Sequence, residues 1–128
     1  MPPTTSDATG VAALFFDTNT DNLYVYMHHN VSSPVTITIN GPAGNGGTAP
    51  VLFTFLDGPQ SPISDTWFNI GTTNFDYLKK GLLYIEITST TFPTGEIRGQ
   101  IEAPICPILD GALIENIVRT YNAKSWPC

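Results

Sequence analysis

An all-β fold follows from three features of the sequence: an antiparallel Greek-key β-sandwich of about seven or eight strands with a short C-terminal helical tail. Apolar residues recur at every second position in several short segments. Turn-forming residues separate those segments, with 11 Gly and 11 Pro in 128 residues. Only 12% of residues are charged against 41% apolar, which suits many short strands more than helices. The length allows one domain with a real core and is too short for two. Residues 1–9 read as a polar arm, 10–103 as the sandwich and 104–128 as a C-terminal extension.

The first strand is predicted over Gly10 to Asp17, where Val11, Ala13 and Phe15 alternate with Ala12, Leu14 and Phe16. Both faces are apolar, so both are expected to be covered. Asp17 to Asn22 is a turn of short polar side chains that bond their own backbone. A calcium loop is the less favoured reading there, because the Gly and terminal Glu of the standard loop are missing. From Leu23 to His29, Leu23, Val25 and Met27 face one way and Tyr24, Tyr26 and His28 the other, which makes a hairpin with the first strand. Asn30-Val31-Ser32 then fits the N-glycosylation pattern, so Asn30 is a candidate acceptor.

Pro34 to Asn40 has the cleanest alternation, with Val35, Ile37 and Ile39 expected inward. The Gly41–Gly47 run is a loop by composition; it lacks the helix N-terminus and Lys that phosphate binding needs. Val51 to Leu56 reads as a strand, Asp57 to Pro62 as a turn, and Asp65 to Ile70 as a short strand bearing Trp67 and Phe68. Asn74 to Lys80 resembles a helical turn stopped by Gly81, with Lys79 and Lys80 placed favourably for the helix dipole.

Leu82 to Ala103 forms a second hairpin around a Thr/Pro/Gly turn. Leu83, Ile85 and Ile87 share one face, as do Ile97, Gly99 and Ile101. A register that pairs Glu86 with Arg98 and Tyr84 with Gln100 keeps both apolar rows on one side. Thr88 then meets Glu96. Beyond Ala103, Asp110 could cap a helix whose face is Leu113, Ile114, Ile117, Val118 and Tyr121. Its three turns are marginal without a surface to dock on. Cys106 and Cys128 bracket this extension; a disulfide between them would contribute about 3 kcal/mol in an oxidising compartment. Pairing between subunits and two free thiols are the alternatives.

No catalytic constellation is apparent. His28 and His29 are consecutive on a strand and point to opposite faces, so they cannot jointly serve one ligand or a triad. A zinc or copper site wants three or four His or Cys ligands, and no metal or other cofactor is expected here. Glu86 and Glu96 invite an acid/base reading, but with Arg98 between them both are expected to stay ionised in a cross-strand network. Eleven acidic against five basic residues make nucleic acid and anionic membranes unfavourable partners. No apolar run is long enough to span a bilayer, and Met1 to Asp7 carry neither the basic nor the apolar part of a secretion signal.

The run Gly95-Glu96-Ile97-Arg98-Gly99-Gln100-Ile101 after Pro93 resembles the signature of the chordin-type (CHRD) domain family. Upstream, Gly10 with its apolar run, Leu23 to Met27, Ile39-Asn40-Gly41-Pro42-Ala43-Gly44 with Gly46-Gly47, and Gly81 fall in the order of that pattern. The resemblance implies an antiparallel sandwich in an extracellular or cell-surface setting, with no reaction attached, and marks Gly95, Glu96, Arg98, Gly99, Gln100 and Glu86 as its structural motif. Many bacterial members carry histidines where this chain has Thr38, Asn40 and Thr88, so the resemblance argues against a metal site. The expectation is a non-enzymatic subunit of a filament, matrix or particle coat, a homo-oligomer or polymer that docks on its neighbours through arm and tail. A binding or adhesion module for a protein or polysaccharide, using Tyr24, Tyr26, Trp67 or Trp126, is the alternative, although a packing role is favoured for each aromatic. A metal-dependent redox enzyme is the remote one.

Overall fold

The computed structural model describes residues 5–44, 47–101, 106–107 and 113–118, the last two stretches as backbone only. Two antiparallel sheets pack face to face. Strands β1 (Gly10–Asp17), β2 (Asn22–His29) and β5 (Ile63–Trp67) share one sheet with β8 (Cys106–Pro107) and β9 (Leu113–Val118), in the order β5-β2-β1-β9-β8. The other sheet has the order β4-β3-β6-β7 and contains β3 (Pro34–Asn40), β4 (Val51–Thr54), β6 (Tyr84–Ser89) and β7 (Ile97–Gln100). The sandwich expected from alternation is therefore present, with crossovers placing β3 beside β6 and β1 beside β9.

Alternation puts Ala12, Leu14, Phe16, Leu23, Val25, Met27, Ile63 and Trp67 of the first sheet against Ile37, Ile39, Ile85, Ile87 and Ile97 of the second. Each fully buried Leu or Ile contributes about 2 kcal/mol of transfer free energy. Helix α1 (Gly71–Lys79) adds Leu78 to the core and stacks Phe75 on Phe16, with ring centroids 4.3 Å apart. It starts three residues before the expected turn and ends as expected. Gly81 has φ +71°, and its N–H bonds the Leu78 carbonyl while Leu82 N–H bonds that of Tyr77, a pair of bonds that stops the helix.

Four expectations change. Leu113–Val118 is a strand paired with Ala12–Asp17, where a helix was expected. Its β-branched Ile114, Ile117 and Val118 suit a strand, and the open edge of β1 offers main-chain partners that a lone short helix would lack. Val35 is 51% exposed, because Pro34 and Thr36 pair with Ser89 and Thr88, consecutive residues of β6, and the extra residue between them bulges out of the alternation. The fifth strand lies at Ile63–Trp67, leaving Phe68 exposed. Val11 is exposed and Ala13 and Phe15 only half-buried, so the second face of β1 is not covered by another layer among the described residues. The expected disulfide involves Cys128, which lies outside the described residues, as do Trp126 and Tyr121.

Candidate functional site

The β6–β7 hairpin has the expected register, with Glu86 opposite Arg98 and Tyr84 opposite Gln100. Gly99 sits in the apolar row opposite Ile85, and Gly95, at φ +131°, turns the chain into β7. Strand alternation then sends Tyr84, Glu86, Arg98 and Gln100 to the outer face of their sheet, where they meet Thr36, Thr38 and Asn40 of β3 and Thr88 of β6.

This outer face is sealed by the segment that follows β3. The Arg98 guanidinium lies 3.5 Å above the centre of the Tyr84 ring. Its Nη1 donates to the Gly47 carbonyl, and Nη2 donates to Gly44 O at 3.1 Å and to Gln100 Oε1 at 3.2 Å. Gln100 Nε2 donates in turn to Ala43 O and Gly81 O, at 2.8 and 2.7 Å. Tyr84 and Asn40 hold the far side of the loop: Ala49 N–H donates to the Tyr84 hydroxyl at 3.0 Å, and Asn40 Nδ2 donates to Ala49 O at 3.1 Å. The three positions where the resemblance would have histidines, Thr38, Asn40 and Thr88, are taken by hydrogen-bonded side chains. Thr38 Oγ1 donates to Asn40 Oδ1, and the Thr36 and Thr88 hydroxyls are 2.6 Å apart.

Glu96 does a different job. It is buried, and its two oxygens accept from Ser89 Oγ and Ser6 Oγ, each at 2.5 Å. The hydroxyl of Ser89 also accepts from Phe92 N–H and so shapes the hairpin turn. Thr9 and Asn30 add a second fastening, so the described part of the arm lies on its own domain. Neither Ser6 nor the loop carbonyls had a sequence signal: they lie some 50 to 90 residues from their partners and follow no period.

One electrostatic expectation is corrected. Burial pushes the Glu86 carboxyl above the ordinary carboxylate range, with the Arg98 charge acting against it, so Arg98 does not hold this group ionised as strongly as expected. His29 is occupied structurally. Its Nδ1 accepts from Val31 N–H at 3.1 Å, which makes Nε2 the donor to Pro59 O at 2.7 Å. Among the described residues, no three His, Cys, Asp or Glu side chains gather as a metal site would require.

With the signature residues and the described parts of the Gly-rich loop and arm now placed, the comparison with known families decides the assignment: the pattern of the CHRD domain matches residues 1–101. The chain belongs to the CHRD domain family. No curated protein and no solved structure matches it significantly. The CHRD match takes in the arm and ends before β8 and β9. It supports an extracellular-type β domain, and no helix among the described residues is long and apolar enough to cross a membrane.

The opposite side of this CHRD domain is open among the described residues. On the first sheet's outer face, Tyr24 and Tyr26 are 39% and 58% exposed beside Val11, Ala13 and Phe15 of β1, and Ser64 and Thr66 border them on β5. Trp67, the other described aromatic considered as a contact, is buried against Phe53.

Proposed function

We propose that this CHRD domain is a non-enzymatic structural subunit of an extracellular filament, matrix or coat, and that one of its contacts with other copies is made through the outer face of the β5-β2-β1 sheet. One observation carries the reading. The polar groups of the signature are directed at the domain's own backbone and serines: Arg98 and Gln100 at the loop that seals one sheet, Glu96 at Ser89 and Ser6. Groups so committed act as fastenings, while the other face offers exposed tyrosines and apolar side chains that no layer covers among the described residues. The arm, fastened to its own domain, takes less part in this contact than the sequence suggested.

Light scattering behind size exclusion, with electron microscopy of the same fractions, tests the proposal on the full chain. Concentration-dependent assemblies that Tyr26→Lys dissociates, with thermal stability unchanged, support it. A monomer at all concentrations, with no ordered particles, overturns it. The exposed Tyr24 and Tyr26 also suit a binding module for a protein or polysaccharide, the second reading. A chain that remains monomeric yet is retained on an insoluble polysaccharide, and loses retention with Tyr26→Ala, would favour that one.

A further inference from the structure

The residue after β2 combines a modification signal with the geometry that the modification needs. Asn30-Val31-Ser32 has the Asn-X-Ser form of an N-glycan acceptor, a pattern that is usable only on an accessible surface. Asn30 and Ser32 are both exposed, while Val31 between them is buried and anchors the turn. β2 ends at His29, so Asn30 lies outside the strand's ladder with β1.

The amide is oriented as well as exposed. Thr9 N–H donates to Asn30 Oδ1 at 2.7 Å, and Asn30 N–H donates to the Thr9 carbonyl at 3.1 Å. These bonds occupy the oxygen and leave the nitrogen: among the described residues no hydrogen bond uses Nδ2. Beside it opens a polar cleft of about 300 Å³ lined by Ser6, Asp7, Ala8, Asn30, Ser32 and Glu96. A sugar on Nδ2 therefore breaks no contact of the fold.

We propose that Asn30 is N-glycosylated. The donor is an oligosaccharide on a lipid diphosphate. Asn30 Nδ2 attacks the anomeric carbon, a C–N bond forms, the C–O bond to the diphosphate breaks, and Nδ2 loses one proton. The inference rests on the extracellular setting and not on self-assembly, so a chain that is glycosylated but monomeric would overturn the assembly proposal alone.

The test is translation of the full chain behind a cleavable leader into glycosylation-competent microsomes, followed by intact-mass measurement of the lumenal, protease-protected product. A mass increment removed by peptide N-glycosidase, with Asn30 converted to aspartate, is expected. Asn30→Asp keeps the oxygen that accepts from Thr9, and Ser32→Ala leaves that bond untouched; both are expected to lose the increment completely and to unfold at the wild-type temperature. A lumenal wild-type chain without the increment overturns the proposal, as does an increment that survives in both variants.

Discussion

Arg98, together with Gln100, joins two distant parts of the chain, the last strand of its sheet and the loop after β3. Truncating it to alanine removes a cation stacked on Tyr84 and charge-assisted bonds to two carbonyls, a loss of about 2 kcal/mol. Lysine keeps the charge but not the planar fork, so Arg98→Lys is expected to lose about half as much. Urea unfolding checks both; a loss below about 0.5 kcal/mol for alanine would remove Arg98 from the fastening role. Glu86 makes a prediction of opposite sign. Its carboxyl titrates higher folded than unfolded because burial disfavours the charge. The native state then holds the proton more tightly, so the stabilisation is complete below the ordinary value of 4.5 and is lost as pH rises through the folded value. Glu86→Gln removes that slope, so its melting temperature should gain on wild type between about pH 4 and about pH 7. An unchanged difference across that range would contradict it. The Glu86–Arg98 and Tyr84–Gln100 pairs were legible because one register alone buries both apolar rows. The partners of Glu96 were not, since nothing local ties Ser6 to a hairpin turn ninety residues away.

At the scale of elements, the loop after β3 has to pass close to the start of the second hairpin. Gly41 permits it: a Cβ there would stand 2.5 Å from Leu83 Cδ2 and 2.9 Å from the Leu82 carbonyl. Gly41→Ala must push the loop off the sheet or displace a core leucine, which costs about 1–3 kcal/mol. Because Gly41 N–H bonds Pro50 O and Ala43 N–H bonds Leu82 O, hydrogen exchange in the variant should rise at Ala43 before it rises in β6. Uniform exchange across both would mean the loop is not a separate unit. Most strands could be read from alternation because each buries one face, as Leu23, Val25 and Met27 do. Leu113–Val118 could not, since its apolar spacing follows a helical stripe and puts a polar residue on each face of a strand. The choice fell to a distant partner, the edge of β1, which no local pattern records.

For the molecule as a whole, β9 has a consequence that its position outside the family match makes testable. It pairs with six residues of β1, Ala12 to Asp17, and so occupies main-chain groups that would otherwise form an open edge. A chain ended at Ile101 is expected to retain the sandwich core but to associate edge to edge, seen as light scattering that grows with concentration while the far-ultraviolet spectrum stays β. A truncated chain as monodisperse as the full one would show that β9 does not guard the edge. Among the described residues, the two broad sides of the sandwich also differ in kind, one sealed by a loop and one left open. Copies meeting through identical open faces obey a two-fold axis, and such a contact uses itself up: it closes at a pair. A growing filament would need a second, non-identical contact, so dimers that never extend and fibres that never stop would report different surfaces of the same domain.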